Sequence, residues 1–300
     1  MQPLQALVYQ AYGQEAILYE ALFSIYSFLR YNTKEPTFVF IYTDQIEFFI
    51  KKLPTYCNIH FVELSQKQIQ QWQGSYGFVH RLKIELLKDF CSRLCESTAI
   101  LYVDTDTVFR QSPQVLYDKI QQGFLLMHQA EGTLQSEHNP ILKKTNRFFK
   151  NKSFLIDNTN IKVSPQTMMY NAGVLGFLAK ETSLLERILA FTDEIYPLFR
   201  KHIVEQLAFS FFFQQHQIQT TSNEILHYWN FKEFRSVLKE FFEHFKNFSP
   251  EEIMRLSWNF SVENLQRPKL LYESKPKWVR FLYKITGNTW KMPPYKFWEK

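Results

Sequence analysis

The sequence predicts an α/β protein whose mostly parallel central sheet carries helices on both faces. Three observations predict it. Short, wholly apolar runs such as 99–103 (AILYV) read as strands buried on both faces. They alternate with stretches in which apolar residues recur every three or four positions, the mark of amphipathic helices. The chain, 300 residues at 45% hydrophobic content, is long enough to bury a sizeable core. In such a sheet crossovers are right-handed and ligands gather at the carboxyl ends of strands.

Taken in order, residues 5–12 (QALVYQAY) give a first strand that stops before Gly13. Leu18, Leu22, Ile25 and Leu29 then fall on one face of a helix over 15–30. Residues 37–42 (TFVFIY) and 58–64, around Ile59-His60-Phe61-Val62, give the second and third strands. Val79, Leu82, Leu86 and Phe90 set the stripe of the next helix, and the apolar run 99–103 follows. A short helix over 113–121 and a strand over 124–128 come next. Residues 130–166 are polar and read as a long inserted loop, either a lid or acceptor platform or an insertion with no chemical role.

Residues 169–177 (MYNAGVLGF) form a strand whose two glycines imply a close approach of backbone or ligand. Helices are expected over 184–198, 204–213 and 231–245, with a short apolar stretch at 225–230 between the last two. Ser249-Pro250-Glu251-Glu252 opens another helix, Ser249 as cap and Glu252 three residues on. The expected division is a catalytic domain over 1–245 and a helical, basic extension over 246–300.

Composition removes several classes. Thirty Phe, 16 Tyr and 6 Trp with only 8 Gly are incompatible with a disordered or linker-rich chain. Three cysteines, Cys57, Cys91 and Cys95, argue against a disulfide framework and for a reducing, cytoplasmic setting. Cys91 and Cys95, four apart, read as two buried small apolar residues in preference to a metal pair. The start shows no secretory pattern, and no run of about 18 apolar residues marks a membrane span. The net charge of +6 belongs to the tail: residues 267–300 hold nine basic and two acidic side chains, leaving 26 of the 35 basic and 27 of the 29 acidic residues before them.

The run 99–103 ends in Asp104-Thr105-Asp106. Carboxylates at i and i+2 on extended backbone point the same way, and such like charges need a cation beside them. With the helix Arg81-Leu82-Lys83-Ile84-Glu85-Leu86-Leu87, the strand Leu101-Tyr102-Val103-Asp104-Thr105-Asp106, Tyr170-Asn171-Ala172-Gly173-Val174-Leu175 and the late pair His227-Tyr228, the chain resembles nucleotide-sugar-dependent glycosyltransferases of the GT-A fold. The nearest likeness is to the glycogenin and bacterial lipopolysaccharide galactosyltransferase family, over roughly residues 5–232.

That resemblance implies transfer of a sugar from a nucleoside diphosphate sugar, a UDP-sugar by preference, to a saccharide or lipid-linked acceptor, with retention of configuration as the family's course. It implies Mn²⁺, or else Mg²⁺, held by Asp104, Asp106 and His227, with Asp104, Thr105 and Asp106 also on the nucleotide. Gln10 and Tyr12 match the nucleotide-contacting end of the first strand, and Asn171 a sugar-contacting position. Glu205 and Gln206 match the acidic residue and Gln near the anomeric carbon, an ordinary helix pair being the alternative. Arg81 and Lys83 would put cations near the diphosphate or the sugar; for Lys83 a solvated helix face is the favoured reading. The chain departs from the family after His227-Tyr228, where Trp229-Asn230-Phe231-Lys232 lacks the usual Gly and Pro around a phosphate-binding Lys, and the Arg81 helix lacks the Pro after Ile84.

Two other readings stand beside this one. Asp104-Thr105-Asp106-Thr107-Val108 also fits a haloacid-dehalogenase-type phosphatase with Asp104 as nucleophile, although some 100 residues precede it and no Asp-Asp follows. A non-catalytic nucleotide-sugar-binding module is the third. In the tail, Trp278, Leu282 and Ile285 share one helical face and Lys277, Arg280 and Lys284 another. Residues 267–300, with Trp290, Tyr295 and Trp298, thus suit either an anionic membrane surface or packing onto the domain. No nucleic-acid-binding motif accompanies the charge.

Overall fold

A computed structural model describes residues 4–32, 37–55, 58–136 and 139–297; Cys57 and Trp298 lie outside them. Four strands open the chain, β1 (Gln5–Gln10), β2 (Thr37–Thr43), β3 (Ile59–Glu63) and β4 (Ala99–Val103). They are separated by α1 (Glu15–Tyr31), α2 (Ile46–Ile50), α3 (Gln66–Gln73) and α4 (Arg81–Ser92). Next come β5 (Thr107–Phe109), α5 (Gln114–Gln121), β6 (Leu125–Met127), β7 (Ala130–Thr133), α6 (Pro140–Phe149), β8 (Phe154–Ile156), β9 (Thr159–Ile161), β10 (Met168–Tyr170) and β11 (Val174–Leu178). The last part holds α7 (Thr182–Ile195), α8 (Ile203–Phe213), β12 (Ile218–Thr220), β13 (Ile225–His227), α9 (Phe234–His244), α10 (Pro250–Ser257), α11 (Val262–Glu273) and α12 (Lys277–Ile285).

The central sheet has the order β12-β6-β11-β4-β1-β2-β3. β1, β2, β3 and β4 pair in parallel, and β11 runs against both β4 and β6. This is the mostly parallel sheet expected, with helices on both faces. The two-residue alternation divides each strand between two cores. Ala6 and Val8 of β1 and Ile100 and Tyr102 of β4 face α4, α7 and α8. Leu7, Tyr9, Leu101 and Val103 face α1, α5, α9 and α10. Every residue of β4 is buried, which is why its sequence is apolar without alternation.

Several local expectations change. Residues 130–166 are not irregular: they hold β7, α6 and the β8–β9 hairpin. Polar composition hid them because each element buries only a few residues, Leu142, Thr145 and Phe149 in α6. The expected strand 169–177 is broken at Asn171-Ala172-Gly173 into β10 and β11. Val79 lies before α4 and is exposed, so the helix stripe starts at Leu82. Cys91 is buried as expected, but Cys95 lies beyond the end of α4 and is exposed. The short α2 and the Gln-rich α3, with only Ile69 and Trp72 buried, carry too little periodicity to be foreseen. The capping box at Ser249 forms as written, and Ile253 and Met254 of α10 join the core with α1 and α9.

Candidate functional site

The site is built at the carboxyl end of β4, where the chain leaves the sheet. Asp104 N–H donates to the Gly173 carbonyl (2.8 Å), and Tyr228 N–H donates to the Asp106 carbonyl (3.0 Å). Thr107 Oγ1 donates to the Asp104 carbonyl at 2.8 Å. These bonds fix the turn holding Asp104, Thr105 and Asp106. Antiparallel pairing of β5 with β13 sets His227 opposite Thr107, bringing together residues more than 100 apart in sequence.

His227 Nε2 lies 3.0 Å from Asp106 Oδ1 and 3.9 Å from Asp104 Oδ2. One ligand atom from each of Asp104, Asp106 and His227 lies within 4.8 Å of the others. The His227 side chain is only 5% exposed, whereas Asp104 and Asp106 keep 28% and 18%, so the carboxylates form the open side. Asn171 Oδ1 accepts from Gly173 N–H at 2.9 Å and sits 2.8 Å from His227 Nδ1. The backbone donor fixes that oxygen as an acceptor, so Nδ1 carries the proton and Nε2 is directed at the carboxylates. A ring oriented in this way is prepared as a metal ligand. Burial lowers the His227 pKa, but Asp106 and then Asp104 outweigh it and hold it above its ordinary value.

Gly173 is required by proximity. A Cβ there would sit 2.2 Å from Cε1 and 2.3 Å from Nδ1 of His227, so the imidazole fills the space a side chain would need. Gly176 serves the sheet in the same way, since a Cβ would come within 2.8 Å of Leu126. At both glycines what approaches closely is a side chain, His227 and Leu126, where backbone or ligand was expected.

Lys83 overturns the expectation of a solvated helix face. It is 5% exposed, with Nζ 3.2 Å from Asp104 Oδ1, 3.1 Å from Glu205 Oε1 and donating to the Ala172 carbonyl at 3.0 Å. Tyr102 O–H donates to Asp104 Oδ1 at 2.8 Å. Burial would raise Asp104, yet Lys83, His227 and these hydrogen bonds hold it below the usual carboxylate range. Glu205 goes the other way: burial, together with the charge of Asp104, raises it despite Lys83. Oδ2 of Asp104 accepts from Lys83 Nζ at a longer 3.5 Å and faces His227 Nε2.

Of the other expected residues, Thr105 is buried in the turn. Gln206 lies in α8 beside Glu205, and Gln10 and Tyr12 are half-buried at the end of β1. The Arg81 guanidinium is paired with Asp193 (2.6 and 2.9 Å) and Glu85 (2.9 Å) and donates to the Trp72 carbonyl.

Sequence reasoning missed Glu131. Its carboxylate accepts from Asn171 Nδ2 at 3.0 Å and Gln206 Nε2 at 2.7 Å, joining two expected site residues. It sits in β7, inside the stretch read as loop, and the antiparallel β7–β10 pairing delivers it. Tyr102 was hidden among core residues of β4, where only the i, i+2 spacing to Asp104 hinted at contact.

No family model matches the chain, and no curated protein matches it. Solved structures similar to it include glycosyltransferases. Mouse xyloside xylosyltransferase 1 in its apo form is 13% identical over 72% of this chain and 85% of its own, with a TM-score of 0.47. The galactosyltransferase LgtC in complex with donor and acceptor sugar analogues is 12% identical over 72% and 73%, with a TM-score of 0.49. The glycosyltransferase GlyE of Streptococcus pneumoniae TIGR4 is 14% identical over 84% and 63%, with a TM-score of 0.48.

Proposed function

We propose that this protein is a metal-dependent glycosyltransferase that moves a sugar from a nucleoside diphosphate sugar to a saccharide or lipid-linked acceptor. The observation that carries the reading is the convergence of Asp104, Asp106 and His227 Nε2 at the carboxyl end of a central strand. Two carboxylates and one imidazole suit Mn²⁺, with Mg²⁺ as the harder alternative. Bound there, the cation would offset the charge of the departing diphosphate as a Lewis acid.

The chain's own residues do the rest. Lys83 and Tyr102 keep Asp104 ionised and fixed, and Asn171 keeps the His227 lone pair on Nε2. Glu205, buried against Lys83, acts in this reading as a positioning residue. Glu131, Asn171 and Gln206 form the polar cluster next to the metal group and are assigned to the sugar. Gln10, Tyr12 and Thr105 are assigned to the nucleotide, UDP by preference, and the course is taken as retaining. Free thiols at Cys91 and Cys95 accord with a cytoplasmic setting.

A phosphatase with Asp104 as nucleophile needs a later acidic pair for Mg²⁺ beside the two carboxylates. Among the described residues the third member is His227, which favours nucleotide-sugar chemistry. Titration calorimetry with UDP and Mn²⁺ tests the proposal. Binding that requires Mn²⁺ and is lost in Asp106→Ala is expected. Absent or metal-independent UDP binding, or turnover of p-nitrophenyl phosphate without a sugar nucleotide, overturns it.

A further inference from the structure

The basic tail divides into parts that pack and one that does not. α11 is fastened to the body by buried Val262 and Gln266, and Lys269 Nζ donates to Glu233 at 2.7 Å. Beyond α12 the chain returns to the core. There Trp290 lies against Phe231, Tyr295 against Phe260 and Phe297 against Phe241. Between these anchors α12 has no buried residue.

Its side chains are sorted around the axis. Val279 and Tyr283 are half-buried, with Tyr283 stacked 6.0 Å from Tyr272. Trp278, Phe281, Leu282 and Ile285 stand 67%, 62%, 49% and 66% exposed. Their i, i+3, i+4, i+7 spacing makes one apolar stripe about 100° wide. Lys277 and Lys284 stand exposed to one side of it and Arg280, half-buried, lies further round the same side; none of the three forms an ion pair among the described residues. No described helix is long and apolar enough to cross a membrane.

We infer that α12 is an interfacial helix that seats on an anionic lipid surface. Trp, Phe, Leu and Ile fill the acyl boundary while neighbouring Lys and Arg reach the headgroup phosphates. A second copy is the poorer occupant, because symmetric pairing of this stripe sets Lys277, Arg280 and Lys284 against their own kind. The inference goes beyond the proposed sugar transfer and stands without it.

The full chain is sedimented with vesicles of phosphatidylcholine alone and with added phosphatidylglycerol. Sedimentation with the anionic vesicles only, weakened by salt, is expected. Lys277→Gln and Lys284→Gln should each lower partitioning about fivefold. Phe281→Glu/Ile285→Glu should abolish it while leaving the melting temperature and the response to UDP and Mn²⁺ as in wild type, so that failure here is distinct from failure of the functional reading. Equal sedimentation with both vesicles, none with either, or no effect of Phe281→Glu/Ile285→Glu overturns the inference. So does a wild-type dimer that this double variant converts to monomer.

Discussion

Single atoms decide whether Asp104, Asp106 and His227, the candidate metal group, can meet. The imidazole of His227 occupies the space that any side chain at position 173 would need. Gly173→Ala is therefore expected to push the ring off Asn171 and away from Asp106, with little change to β11, whose pairing begins at Val174. Mn²⁺-dependent UDP binding should fall at least about tenfold, the lower end of the loss seen when ligand-orienting contacts are removed. Calorimetry reads the binding, and a far-ultraviolet spectrum like that of wild type would locate the damage at the site. Unchanged Mn²⁺ dependence would separate His227 from the metal. The Asp pair itself was legible in the sequence because an apolar strand running into two carboxylates is unusual. Lys83 was not: helix spacing ranks it with surface cations, and only the positions of Asp104 and Glu205, 21 and 122 residues later, make its burial tolerable.

At the scale of elements, two small ladders outside the main sheet assemble the site. β5–β13 brings in His227, and β7–β10 brings Glu131 to Asn171 and Gln206. Long buried strands and helices were readable from periodicity, since each buries a continuous face. The three- and four-residue strands β5, β7 and β12 were not, because their partners lie far along the chain and too few residues repeat to set a period. That is why the region holding Glu131 looked like loop. Glu131→Gln tests what this ladder supplies. One of the two amides now donating to the carboxylate would then meet another amide donor, loosening Asn171 or Gln206. Turnover should fall between about tenfold and 100-fold, as for loss of a positioning contact, while UDP–Mn²⁺ affinity stays within about twofold. A parallel loss of affinity would instead place Glu131 among the nucleotide contacts.

Across the whole molecule, gathering buried titratable groups around one strand end makes stability depend on pH. His128 lies at the end of β6, 3% exposed, its ring 5.5 Å from that of His227, with Nε2 3.1 Å from the Ile225 carbonyl. Burial first, and then the charge of His227, hold its pKa down to about 4. The folded state thus keeps His128 neutral while the unfolded chain takes up a proton near pH 6.5. Its contribution is complete above that value and is lost as pH falls toward 4. Linkage over that window amounts to about 2 kcal/mol between pH 7 and pH 5. Glu20 opposes it: burial outweighs Arg235, 3.0 Å away, and raises the carboxyl to about 7, so its contribution is present at low pH and lost as pH rises through 7. His227, held above 6.5, also loses its contribution with rising pH. The wild-type profile is therefore a sum of opposing slopes, and the His128 part shows only by difference. His128→Gln keeps a donor for the Ile225 carbonyl and removes the titration. Urea unfolding of both proteins at pH 7 and pH 5 should show the stability gap between them shifting by about 2 kcal/mol in favour of the variant at the lower pH. A gap that stays constant with pH would mean that His128 is protonated in the fold, and that the site tolerates a second cation beside His227.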